Sequence, residues 1–304
     1  MSKEHEGTMK VAVVGATGKT GGALASRMLD RGHQVRALVR DPGRVQHLAE
    51  RGAEISVFDL SDEEKTSAAL AGTEGVYYCS PQAMGEEDPF SVERSWGRNV
   101  FAGATAAGVK HLVFLSIQGP ETAPGVEALE TKRMLEKDLA TSGLPYTVLR
   151  ANMFMDNPEW LAHDELRAGR FSWPLSPTAL VQPVAVRDIS EVAARALESG
   201  PRNRFFDVLG PEPLTMPQMI EIMGRALGQR IEYHELSDED FVARLEPFTG
   251  QPMAKGVVAT YRLWEREGGA VGDSAPLQQE FGITLTSCED YSRGLAEVWK
   301  SRGI

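Results

Sequence analysis

Three features of this 304-residue chain carry chemistry: a glycine turn, two arginines and a lone lysine in an apolar helical stripe. The turn, Gly15-Ala-Thr-Gly18-Lys-Thr-Gly21-Gly22, follows the apolar run Lys10–Val14 and opens a helix-like segment that closes at Gly32. A strand feeding a glycine turn and then a helix presents backbone N–H groups and a positive dipole end to an anion. Gly15 lets the chain leave the strand sharply, Gly18 lets amides approach a pyrophosphate, and Gly21 or Gly22 lets the helix pack on the strands. Thr17, Lys19 and Thr20 complete the expected cradle. The spacing is Gly-x-x-Gly-x-x-Gly, not the commoner Gly-x-Gly-x-x-Gly, so its place between two strands argues for a dinucleotide more than the motif alone. Gly18-Lys19-Thr20 imitates the end of a triphosphate loop. That loop requires a glycine where Val13 stands, which excludes it. The remaining alternative is a glycine turn that binds nothing.

Arg40 ends the second strand, Gln34–Val39, where a protein preferring NAD usually carries an acid for the ribose hydroxyls. A guanidinium there suits a 2′-phosphate, and Arg44, one turn on, adds to it. NADP(H) is therefore expected in preference to NAD(H), the alternative being two solvated arginines. Other candidates fall at the carboxyl ends of later strands, where open parallel sheets bind ligands. Asp59 and Leu60 end the third strand, Ser80, Pro81 and Gln82 leave the fourth, and Ser116 ends the fifth. Lys132 shares a helical stripe with Ala128, Leu135 and Leu139; a snorkelling lysine paired with Glu136 is the ordinary explanation.

The elements that must position these residues alternate strand and helix, which predicts an α/β fold: a doubly wound parallel Rossmann sheet with a smaller, mostly helical C-terminal domain. Residues 1–8 read as a disordered leader and 9–157 as the NAD(P)-binding domain, rejoined by about 184–210. Residues 158–183 and 211–304 form the substrate cap, the first of these an irregular aromatic stretch. Asp41 with Pro42 opens a helix running to about Arg51; Ser61 with Glu64, and Thr215 with Gln218, have capping-box spacing. Ile189, Val192, Ala193, Ala196 and Leu197 form one helical stripe.

Composition excludes several function classes. No apolar run approaches the roughly 18 residues of a membrane span, and the polar start is no signal peptide. Two cysteines without paired spacing exclude a disulfide scaffold and suit a cytoplasmic setting. Six scattered histidines give no metal site. A net charge of −11 opposes direct nucleic-acid binding.

Further stretches bear a resemblance. Ser142-Gly-Leu-Pro-Tyr-Thr-Val-Leu-Arg150, Asn152-Met-Phe-Met-Asp-Asn157, Val109-Lys-His-Leu-Val-Phe-Leu-Ser116, Val184-Ala-Val-Arg-Asp188 and Gly210-Pro-Glu-Pro-Leu-Thr215, with the glycine turn, resemble the NmrA-like family of atypical short-chain dehydrogenases/reductases. The resemblance runs from Met9 to at least Ser237. It implies adenine contacts at Asp59 and Leu60, further cofactor contacts at Asn152 and Phe154, and a match of Ser116 to the serine that orients a substrate carbonyl. It also implies that Lys132 is the lysine of Tyr-x-x-x-Lys, in which the tyrosine passes a proton to the carbonyl. Here the motif reads Ala128-Leu-Glu-Thr-Lys132: the lysine is kept and the acid is missing.

Two classes of function follow. In one, NADPH reduces a quinone or enone, whose delocalised anion needs little acid help. Lys132 then holds the nicotinamide ribose or the developing oxyanion, and Phe154, Met155 and Trp173 wall a flat small-molecule substrate. In the other, the chain binds NADP(H) without catalysis and reports redox state to a protein partner. Oligomeric state is not legible.

Overall fold

The computed structural model describes residues 7–81 and 83–303. Most of the expected leader, residues 1–6, and the candidate Gln82 lie outside the described residues. The chain opens with β1 (Lys10–Val14), α1 (Lys19–Asp30), β2 (Gln34–Val39), α2 (Gln46–Glu50), β3 (Glu54–Val57), α3 (Glu63–Leu70) and β4 (Gly75–Cys79). It continues through α4 (Pro89–Ala106), β5 (His111–Ile117), α5 (Glu127–Thr141) and β6 (Tyr146–Ala151). All strands so far, with β9 (Arg204–Val208), make one parallel sheet in the order 3-2-1-4-5-6-9. This is the doubly wound Rossmann arrangement, and its strand order reverses between β1 and β4.

Period-two alternation splits each strand between two cores. Val11 and Val13 of β1, Tyr77 of β4 and Val113 and Leu115 of β5 face α1 and α7 (Val186–Ser199). Ala12, Val14, Val76, Tyr78, Leu112 and Phe114 face the other side, with Trp96, Val100 and Phe101 of α4 and Leu135 and Leu139 of α5. Each large apolar side chain buried this way contributes about 1.5–3 kcal/mol relative to exposure. Burial on both faces is what makes these strands near-continuously apolar. The stripe of Ile189, Val192, Ala193, Ala196 and Leu197 packs on the first face as its periodicity predicts.

Three local expectations are corrected. The segment after Asp41 is not one helix: Asp41 accepts the Gly43 N–H at 2.9 Å, a 3-10 turn spans Pro42–Val45, and α2 follows. Asp62, not Ser61, caps α3, accepting the Lys65 N–H at 3.0 Å, because Asp59 already takes the Ser61 N–H at 3.0 Å in the preceding turn. The stretch 158–183 is ordered, with α6 (Asn157–Arg167, kinked at Ala162), β7 (Arg170–Trp173) and β8 (Leu180–Val181). The predicted box at Thr215 and Gln218 is present.

A second core lies over the carboxyl end of the sheet. It gathers β7, α8 (Met216–Leu227), α9 (Asp238–Thr249), α10 (Gln251–Arg266) and α12 (Cys288–Ser301), with β8 paired to β10 (Leu214–Thr215) and β7 to β11 (Glu232–Glu235). Between α10 and α12 the chain returns to the main sheet: α11 (Ala275–Phe281) places Leu277 and Phe281, and the following loop Leu285, in the core beneath α7. No described helix is long and apolar enough to cross a membrane.

Candidate cofactor and substrate site

Gly15 adopts φ +86°, and a Cβ on it would lie 2.6 Å from the Cys79 carbonyl oxygen. A Cβ on Gly21 would lie 2.3 Å from the Gly15 oxygen, so the first and third glycines close the turn onto β4 and onto itself. Gly18 donates its own N–H to the Gly15 oxygen at 2.9 Å and starts α1 without a side-chain cap. No acid occupies the first turn of α1, so its positive end meets no internal counter-charge there. The donor set therefore fits a diphosphate.

Two cavities lie at the carboxyl ends of the strands. The first is a cleft of about 940 Å3 lined by Gly15, Thr17, Arg40, Arg44, Asp59 and Leu60, among others. Both arginines are exposed in the cleft, and the Arg40 guanidinium carbon lies 5.9 Å from the Trp96 ring centroid. The Ser61 N–H holds the Asp59 carboxyl below its usual range. The second is a cavity of about 340 Å3 over the ends of β4, β5 and β6, and Pro81 borders both. Its wall includes Ser80, Ser116, Asn152, Phe154, Trp173 and Lys132.

Lys132 does not pair with Glu136. Its Nζ donates to Oε1 of Glu93 on α4, and it sits 5.6 Å from the centroid of the Phe114 ring. The side chains of Lys132 and Glu93 are 12% and 4% exposed, so this is an enclosed ion pair in the cavity wall. Glu136 instead accepts from Ser116 Oγ at 2.6 Å, from Arg133 at 2.8 Å and from Arg150 at 2.6 Å. Ser116 thus gives its only O–H to Glu136, and what it turns to the cavity can accept but not donate. Asn152 is similarly occupied, donating to the Ala270 oxygen at 2.9 Å and accepting the Met153 N–H at 2.8 Å.

Met155 departs from the expectation: it is fully buried in the second core, and Met153 and Phe154 face the cavity instead. Lys19 lines neither cavity. Its Nζ donates to the Asp156 oxygen at 3.4 Å and lies 4.3 Å from the Trp160 ring centroid, and burial lowers its pKa to about 8 against the pull of Asp156 and Glu159. Thr20 is buried, and Ser80 Oγ donates to the Tyr78 hydroxyl at 3.0 Å.

Sequence reasoning missed Glu93 and the far wall. Glu93 follows Phe90 and precedes Trp96 and Gly97 on the buried face of α4, and an acid at a core position of a helix was the available signal. Phe241, Tyr261 and Trp264, which enclose the cavity from α9 and α10, carried no such signal, whereas Trp160 of α6 lies in the aromatic stretch expected to cap the sheet. Trp160 is 44% exposed and stands against Phe248, centroids 5.2 Å apart. Ala128 lines the cavity where the missing tyrosine would stand.

The model of the NmrA-like family matches residues 7–291. The chain belongs to that family. Quinone oxidoreductase 2 of Escherichia coli is 28% identical to it over 283 residues, 91% of this chain and 95% of the relative. The crystal structure of that NADPH-dependent enzyme with NADPH superposes with a TM-score of 0.77 at 27% identity, covering 94% and 99% of the two chains. A (4-alkanoyl-5-oxo-2,5-dihydrofuran-3-yl)methyl phosphate reductase of Streptomyces griseus is 31% identical over 297 residues, 95% and 99% of the two chains. NmrA, a negative transcriptional regulator solved with NADP, has the same fold at 20% identity, a TM-score of 0.72 and 98% coverage of both chains. This NmrA-like chain therefore resembles reductases over its whole length and shares the fold of a regulator.

Proposed function

We propose that this NmrA-like protein is an NADPH-dependent reductase of a flat, conjugated small molecule, a quinone or an enone. The observation that carries the reading is the Lys132–Glu93 pair in the wall of an aromatic cavity that borders the arginine cleft at Pro81. The first turn of α1, Thr17 and Lys19 hold the diphosphate, Arg40 and Arg44 take the 2′-phosphate, and Asp59 and Leu60 border the adenine. When bound, NADPH supplies a hydride. Lys132 Nζ then donates a hydrogen bond to the substrate oxygen on which negative charge develops. Phe154, Trp160, Trp173 and Tyr261 stack on the substrate and exclude water. The named relatives support this reading: one acts on quinones, and the other on a ring whose C=C is conjugated to a carbonyl.

The second reading is a redox sensor that binds NADP(H) and signals to a protein partner, favoured by Ala128 in place of the acid and by the regulator's fold. NADPH oxidation against a panel of benzoquinones, naphthoquinones and cyclic enones separates the two. The reductase gives acceptor-dependent turnover, and Lys132→Met lowers kcat about 100-fold with NADPH affinity little changed. Tight NADPH binding with no turnover on any acceptor establishes the sensor. Loss of NADPH binding in Lys132→Met assigns the lysine to the ribose.

A further inference from the structure

Lys132 is enclosed in the cavity wall. Its side chain is 12% exposed, between α4, β5 and the end of β4, and the Phe114 ring face adds to its ion pair. An ammonium withdrawn from water loses several kcal/mol of hydration unless a counter-charge replaces it. Among the described residues Lys132 has one ion-pair partner, Glu93.

The pair is not needed to join its two helices. Leu135 of α5 seats against Gly97 of α4, where a Cβ would lie 2.3 Å from Leu135 Cδ2. Arg94 and Asp138 bridge the same helices at 3.2 Å. A buried ion pair contributes little net stability relative to apolar side chains of the same volume. A purely structural seam would hold two leucines, and this one holds opposite charges beside the position that lacks its tyrosine.

We propose that Glu93 is the positioning residue of this site: it fixes Lys132 Nζ at the cavity wall, so that the lysine serves alone as hydrogen-bond donor to the substrate oxygen. Glu93 takes one N–H of Nζ and leaves two for substrate and cofactor. It acts only through Lys132. The inference rests on the reductase reading, so the test begins with wild-type turnover of a naphthoquinone by NADPH.

Four variants are compared with the wild type: Glu93→Gln, Glu93→Asp, Lys132→Met and the double Glu93→Gln/Lys132→Met. Each is followed by kcat and KM, NADPH affinity by calorimetry, and thermal melting. In Glu93→Gln kcat falls about tenfold, while KM and NADPH affinity stay close to wild type. Glu93→Asp restores part of the loss. The double variant is no slower than Lys132→Met alone and melts higher than Glu93→Gln, because no unpaired charge is left buried. A Glu93→Gln enzyme with wild-type kcat overturns the inference and leaves the reductase reading intact, as does a double variant slower than Lys132→Met. Absence of wild-type turnover on any acceptor overturns the reductase reading itself and this inference with it, and melting and NADPH binding show whether that protein is folded.

Discussion

Ala128 on α5 and Gly256 on α10 approach so closely that a Cβ on the glycine would lie 3.1 Å from the Ala128 Cβ and 3.0 Å from the Phe90 ring. A helix from the second core thus packs against the position a catalytic tyrosine would take. Ala128→Tyr, which completes Tyr-x-x-x-Lys by sequence, is expected to gain no activity. Overpacking against α10 costs about 1–3 kcal/mol. A lowered melting temperature with unchanged or reduced kcat is the expected outcome; a faster enzyme would mean that α10 yields and admits the phenol.

Ser116 gives a contrasting case, because its hydroxyl is buried and already bonded to Glu136 at 2.6 Å. Ser116→Ala removes one of three donors to that carboxylate while Arg133 and Arg150 remain. The expected loss is about 1–2 kcal/mol of stability with kcat nearly unchanged, read by denaturant melts and steady-state rates. A large fall in kcat at unchanged stability would return Ser116 to the substrate.

The glycine turn and the strand ends were legible in the sequence because short-range patterns fix them, whereas Lys132 was singled out for a functional role by the family resemblance alone. A strand, a turn and a helix in succession determine where Gly15, Arg40, Asp59 and Ser116 stand along the sheet edge. Partner choice was not legible. Glu136 lies one turn from Lys132, yet Arg150, brought beside it by the pairing of β5 with β6, takes its second oxygen. Glu93, 39 residues away in sequence, takes the lysine. The cavity's far wall depends on α9 and α10 folding back over β5 and β6, a long-range event with no local signature. The same holds for β7, whose partner β11 lies about 60 residues on.

Arg40 and Arg44 are exposed at the cleft that also holds Asp59 and Leu60. Arg40→Ala is expected to weaken NADPH by about 10- to 100-fold, the range of one lost charged hydrogen-bond partner, while NADH affinity stays unchanged or improves. Calorimetry with both coenzymes checks this. Equal losses for the two would mean that Arg40 contacts the shared diphosphate instead of the 2′-phosphate.

Lys19 joins the glycine turn to the aromatic cavity, since it begins α1 and its ammonium lies on Trp160, which lines that cavity. Its pKa of about 8 in the free protein sets the sign of two pH effects. The unfolded chain keeps this proton up to its ordinary value of 10.5, so between about pH 8 and 10.5 the unfolded state binds more protons and stability rises with pH. Lys19→Met lacks that rise. NADPH binding runs the other way: a diphosphate at the α1 N-terminus favours the ammonium, so above pH 8 binding takes up a proton and weakens by up to about tenfold per pH unit. Titrations at pH 7 and 9.5 in buffers of different ionisation enthalpy measure both the affinity and the proton uptake. Lys19→Met flattens the profile and abolishes the uptake if Lys19 reaches the phosphates. An unchanged slope in the variant assigns Lys19 to Trp160 and Asp156 alone.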